Sequence, residues 1–186
     1  MFTTLLEGFN ALRYKKERNE LGETYMMSRS FQIGDYAVCP GHGVGQICDI
    51  EERDLGGDKK DYFIVKILAN GMTIMVPVES EAGIRSLVGQ GEIEEVYGLL
   101  NNHDVQVDNS TWNRRYREYM TKIKTGSLLE IADVLRALFL LKYRKNLSFG
   151  EKKMLDQCKG LLAQEIALSN GAGVREIEVK IDSYFN

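Results

Sequence analysis

Cys39, His42 and Cys48 are the side chains best suited to hold a metal, since thiolate and imidazole are the ligands zinc prefers. A structural zinc closes four ligands around the ion, and no fourth stands near these three. The two thiols therefore read as half-buried structural residues. Gly41-His42-Gly43-Val44-Gly45 is rich in glycine, yet no Lys-Ser/Thr pair follows it as a phosphate-binding loop requires. It also precedes a strand, where a dinucleotide fingerprint would precede a helix. It reads as a tight bend. His42 and His103 are the only histidines, and neither sits beside a Ser or Cys in a nucleophile arrangement. Neither a metal nor a cofactor is expected, and the chain does not read as an enzyme.

The stronger signal is positive charge beside an aromatic. Between Trp112 and Lys124 stand Arg114, Arg115, Arg117, Lys122 and Lys124, against a single acid, Glu118. On a helix Arg114, Arg117 and Lys124 share a face, with Arg115 and Lys122 on its flank. That leaves Tyr116, Tyr119, Met120 and Ile123 as an inward apolar stripe. A second basic cluster comprises Lys142, Arg144, Lys145, Lys152, Lys153 and Lys159, among which stand Glu151 and Asp156. A basic helix face next to an aromatic is what a reader of the phosphate backbone needs. Charge alone suits a solvated face somewhat better, and a tryptophan alone suits a core. Trp112 follows a polar loop and adjoins Arg114 and Arg115, a place that favours an exposed wedge.

Elements must carry these residues, and the composition permits them. Of 186 residues, 44% are hydrophobic and 27% charged, which excludes a largely disordered chain, a collagen-like repeat or a disulfide-rich miniprotein. The net charge of -3 excludes a uniformly basic coat, so any nucleic-acid contact must be local. No run approaches the ~20 apolar residues of a membrane span. The first residues lack the features of a signal peptide, and three cysteines without an export signal suit free thiols in a reducing cytoplasm.

Residues 1–30 read as an N-terminal extension, poorly ordered or a short helix, since Phe2, Leu5, Leu6, Phe9 and Leu12 suit one helical face. A start at Met26 or Met27 is an alternative reading. From Phe31 to about Leu87 the chain reads as four or five short strands. Pro40-Gly41, Leu55-Gly56-Gly57-Asp58 and the hairpin signal Asn70-Gly71 separate them. Pro77 belongs at an edge or an end. Strands with tight turns and no intervening helix make a small antiparallel barrel or rolled sheet. After Gly91 the period changes to 3.6. Ile93, Val96, Tyr97 and Leu100 mark a short helix, and Asn109, Ser110 or Thr111 is placed to cap the one that follows. Ser127 with Glu130, and Ser148 with Glu151, have capping-box spacing. The segments they open bury Leu128, Ile131, Leu135, Leu138 and Phe139, then Met154, Cys158, Leu161 and Leu162. Gly171 and Gly173 close the second. Val174 to Phe185 fits both periods and is read as a helix. The fold class expected is α+β: a β-module over 31–87 and a compact α-helical domain over 88–186.

Four segments together resemble the CarD/CdnL family of bacterial RNA polymerase-binding regulators: FQIGDYAVCPGHGVGQI, DYFIVKIL with MTIMVPVE, NSTWNRRYREYMTKIKTGSLLEIADVLRAL, and NLSFGEKKML. The resemblance runs from Phe31 to about Leu168 in the family's order. It implies a Tudor-like module that docks on the polymerase β subunit, a module shared with transcription-repair coupling factors. It also implies a helical module that touches promoter DNA at the upstream edge of the melted bubble and stabilises the open complex. Trp112 takes the place of the family's wedge, with Arg114, Arg115 and Arg117 as its basic neighbours. Lys122, Lys124, Lys152 and Lys153 complete the expected DNA-contacting set. Arg53, Met75 and Pro77 fall where the family touches β, although some members carry Arg at the position of Met75. Lacking a Pro/Arg/Lys-rich tail, the chain resembles the short CdnL type, and a cytoplasmic monomer is expected. Two other readings stay open: a Tudor-like interaction module without DNA contact, and an enzyme whose centre is not visible in the sequence.

Overall fold

The computed structural model describes residues 16–18, 24–26, 31–54, 57, 59–80, 83–104, 108 and 110–185. The helix expected between Phe2 and Leu12 lies outside them. Residues 1–32 form one unit and 33–186 a second. In the first, β1 (Lys16–Arg18) and β2 (Thr24–Met26) pair antiparallel.

The second unit begins with four antiparallel strands in sequence order: β3 (Tyr36–Cys39), β4 (Gly43–Asp54), β5 (Lys59–Ile67) and β6 (Thr73–Pro77). Alternation decides the faces. Ile47 opposite Val65, and Phe63 opposite Val76, are buried on one side together with Ile67. A bulge falls between Ile47 and Asp49, and such a bulge bends its strand and tightens the twist. Cys48 is the extra residue there and is exposed, while Cys39 is fully buried, so neither thiol is half-buried as expected. Asn70-Gly71 makes the β5–β6 turn, with Gly71 at φ 71° and the Asn70 side chain accepting the Met72 N–H at 3.0 Å. Pro77 ends the edge strand β6, where a missing N–H costs the ladder nothing.

Five helices follow: α1 (Gln90–Asn101), α2 (Trp112–Thr125), α3 (Leu128–Arg144), α4 (Phe149–Asn170) and α5 (Val174–Ser183). This is an α+β fold. Because α3 packs against α1, α2 and α4, it is apolar on several faces, from Leu128 and Ile131 through Val134, Leu138 and Leu141. Ser148 and Glu151 form the complete reciprocal capping box at the start of α4, whereas Ser127 only accepts the Glu130 N–H. Thr111 occupies the N-cap position of α2 but makes no side-chain cap bond. Gly171 ends α4 in the left-handed conformation; Gly173 instead stands before the first turn of α5, so it opens that helix rather than closing α4. The tail from Val174 is helical because Ile177, Ile181 and Phe185 find the bundle core, Phe185 stacking on Phe139 at 4.1 Å. No helix among the described residues is long and apolar enough to cross a membrane.

The glycine run is a bend, and its position explains its composition. The turn Pro40–His42 closes with the His42 N–H on the Cys39 carbonyl at 2.9 Å. Gly43 has φ 92°, and a Cβ there would stand 2.8 Å from Leu161 Cδ2 of α4. Leu161 is only half-buried, not a bundle-core residue as expected, because it covers this turn. Gly43→Ala is expected to destabilise the fold by roughly 2–4 kcal/mol, from backbone strain and overpacking together. Urea unfolding of the full chain checks this through a lower midpoint at unchanged slope.

Candidate functional site

The basic helix exposes part of its charge and buries the rest. Arg114, Arg117 and Lys124 are exposed on α2, while Tyr119 and Ile123 point into the core. Lys122 and Lys124 lie in the last turn, where the helix dipole favours cations. The Lys122 ammonium bonds to the Asp133 carboxylate of α3 at 2.7 Å, so it ties two helices together instead of facing outward. Burial pushes the Asp133 pKa up, but hydrogen bonds from Lys122 and Arg136 outweigh it and hold the carboxyl below its usual range. Tyr116, expected in the inward stripe, is 46% exposed, since the buried side of α2 is taken by Arg115, Tyr119 and Ile123.

Trp112 is half-buried. Its ring packs against the core and lies over Gly150 in the first turn of α4, where a Cβ would come within 3.1 Å of Cζ2. Tyr116, one turn on, meets it edge to face at 5.5 Å between centroids. Phe149, at the start of α4, is 85% exposed, and Lys152 and Lys153 on the same first turns are exposed too. Trp112 and Tyr116 thus pack together at the start of α2, Phe149 adjoins the glycine under Trp112 at the start of α4, and Arg114, Arg117, Lys152 and Lys153 are exposed on the first turns of these two helices. Sequence reasoning passed over Phe149. Its signal was its offset from the buried spacing of Met154, Leu155 and Cys158 on a helix whose cap fixes where the first turn starts.

Arg115 is the main correction to the expected site. It is buried at 4% exposure, and its guanidinium pairs with the equally buried Glu151. It also donates to the Ser110 carbonyl. Glu151 receives three further bonds, two from Lys145 at 2.9 and 3.1 Å and one from the Ser148 N–H at 2.8 Å. Arg115 therefore cannot meet a phosphate; it joins the start of α2 to the start of α4. Burial raises the Glu151 pKa, yet the Ser148 and Lys145 hydrogen bonds and the nearby ammonium outweigh it and hold the carboxyl at about 2.

On the sheet, register gathers residues far apart in the chain. Met75 lies opposite Ile64, Pro77 opposite Tyr62, and Tyr62 opposite Glu51. Arg53 has the same strand parity as Glu51, pairs with it, and is exposed. Arg53, Met75 and Pro77 therefore share the face that does not enter the sheet's core. Met75 is 45% exposed, and Tyr62 and Ile64, which the sequence reading did not single out, are half-buried between them. The alternation of Tyr62 and Ile64 with buried Phe63 and Val65 was the available signal.

Glu151→Ala, which strands Arg115 in the interior, is expected to cost about 3–5 kcal/mol. Because the folded pKa is depressed, the stabilisation from Glu151 is complete above about 4.5 and is lost as pH falls toward about 2. Thermal unfolding of wild type and Glu151→Gln across that window should show the acid-side loss shrinking in the variant.

Comparison with known proteins agrees with this layout. Residues 31–88 match the model described as CarD-like/TRCF RID domain, and residues 95–182 match that of the CarD C-terminal domain. The chain is 33% identical over 150 residues to YdeB of Bacillus subtilis (strain 168), a candidate transcription factor, covering 80% of this chain and 97% of that protein. It is 28% identical over 133 residues to the transcription-repair-coupling factor of the same organism, covering 70% of this chain but 10% of that longer protein. A solved structure, CdnLNt from Myxoccoccus xanthus, is 38% identical over 34% of this chain and 93% of its own, with a TM-score of 0.29. With both family models in order along one chain, and a relative matched over nearly its whole length, the protein belongs to the CarD/CdnL family of transcription regulators.

Proposed function

We propose that this regulator docks on the RNA polymerase β subunit through the outer face of its four-stranded sheet, a Tudor-like module over 31–87. From there its helical domain, 88–186, stabilises the promoter open complex. The observation that carries the reading is the placing of Trp112 and Phe149 at the starts of α2 and α4, whose first turns also expose Arg114, Arg117, Lys152 and Lys153. Likeness to the RID domain and to part of a transcription-repair-coupling factor supports the docking half. On the sheet, Met75, Ile64, Tyr62 and Pro77 supply an apolar strip, and Arg53 a charge at its margin.

The energetics suit a tethered regulator. Phosphate neutralisation dominates non-specific DNA affinity, and a protein of net charge -3 with a local basic face gains little of it alone. Docking on polymerase raises the effective concentration of that face at the promoter, so weak contacts suffice. At the edge of the bubble the base step is already partly unstacked. An aromatic side chain leaning there binds the melted state better than the duplex, and only such a difference shifts the equilibrium. Trp112 is held firmly enough to act in this way: the core, Gly150 and Tyr116 support its ring, which stays partly exposed.

Trp112→Ala is expected to shorten open-complex lifetime by the equivalent of about 1–3 kcal/mol while leaving β binding intact. Phe149→Ala should also shorten it, with an unchanged melting temperature, since that side chain has little packing to lose. Lifetimes measured with both variants decide the matter. If neither shortens the lifetime, the chain is a protein-interaction module without DNA contact.

Arg114→Ala, Arg117→Ala or Lys124→Ala should each weaken promoter association about equally across sequences and lower the salt slope by about one. Arg115→Ala should instead lower the melting temperature. A titration of binding against salt concentration, run beside thermal unfolding, separates the two kinds of arginine.

A further inference from the structure

Arg85, on the segment between β6 and α1, bonds to two different parts of the fold. Its backbone joins β3: the Arg85 N–H donates to the Val38 carbonyl at 3.0 Å, and the Val38 N–H donates to the Arg85 carbonyl at 2.7 Å. Its guanidinium reaches the helices. Nε donates to the Gly126 carbonyl at 2.9 Å, and Nη2 shares that acceptor. The same fork grips Glu165 of α4 at two points, with Nη2 to Oε2 at 2.9 Å. Glu165 is 2% exposed and also accepts the Val88 N–H at 3.2 Å. Burial pushes the Glu165 carboxyl up, and the Arg85 charge and these hydrogen bonds act against that rise.

Gly126 is the left-handed residue that ends α2, so the Arg85 charge sits at the negative end of the helix that carries Trp112, Arg114 and Arg117. Two other close approaches cross the same junction: Pro40 against Gly126, and Leu161 against Gly43. Those are van der Waals contacts and fix no angle. A planar guanidinium with bonds to the carbonyl of one helix and the carboxylate of another does fix one.

We propose that Arg85 is a positioning residue that locks α2 in one orientation against the sheet, so that a partner bound on the sheet's outer face determines where Trp112 stands. The proposal rests on the division of labour given above, and its test reads the lock separately. Spin labels are placed on Cys48, the exposed thiol of β4, and on Glu118→Cys, on the exposed side of α2, in the full-length chain. Cys39 and Cys158 are buried.

The unsubstituted Arg85 background should give a single narrow distance distribution. Arg85→Lys keeps the charge but cannot make the two-point grip, and Arg85→Ala removes both; each should broaden the distribution. Open-complex lifetime should fall about tenfold or more, as for a misplaced contact group, with affinity for β unchanged. Should Arg85→Ala fail to fold, Arg85→Lys carries the decision. A narrow distribution in the folded variant overturns the proposal, and so does a broad one with an unaltered lifetime. If the native chain itself does not lengthen the lifetime, the proposed function fails, and the distance distribution alone then decides the lock.

Discussion

One buried carboxylate holds together the end of the helical half that carries Trp112. Glu151 is fully buried and is bonded by Arg115, Lys145 and the Ser148 N–H. A charge removed from water is tolerable only when its partners replace the lost hydration, so all three must stay in place at once. One belongs to α2, one to the segment after α3, and one to the cap of α4. Their shared acceptor therefore sets where α2 starts relative to α4, and that placement sets Trp112 over Gly150.

The molecule keeps its two candidate surfaces chemically distinct. The sheet offers an apolar strip with charge at its margin, suited to another protein. The helices offer exposed aromatics among cations, suited to a polyanion with accessible bases. Between them runs a junction built from the bend at Pro40–Gly43, the end of α2 and the middle of α4. The bend needs glycine for close approach as much as for dihedral freedom, since Leu161 occupies the space a side chain on Gly43 would take. The motif that looked most like a nucleotide loop turns out to be a seat for a helix.

Much of the fold was legible because its causes are local. Asn70-Gly71 between alternating runs gives a hairpin, Pro77 gives an edge, and Ser148 with Glu151 gives a helix start, each through contacts within a few residues. The grouping of Arg53, Met75 and Pro77 on one side of the sheet required the register, and the strand alternation already constrained that.

What the sequence by itself determined is the order and type of these elements, the basic character of α2 and the presence of an aromatic at its start. The tertiary structure alone decided which cations face water. Arg114, Arg115 and Arg117 stand in one charged run, and nothing local separates them. Arg115 is buried because Glu151, 36 residues away, needs a counter-charge in the interior. Lys122 is engaged because Asp133 of α3 lies opposite it. Phe149 is exposed because the bundle core packs against the side of α4 that carries Met154, Leu155 and Cys158. Packing partners distant in sequence made each of these choices, since burial depends on what the folded chain brings alongside a residue and not on its neighbours in sequence.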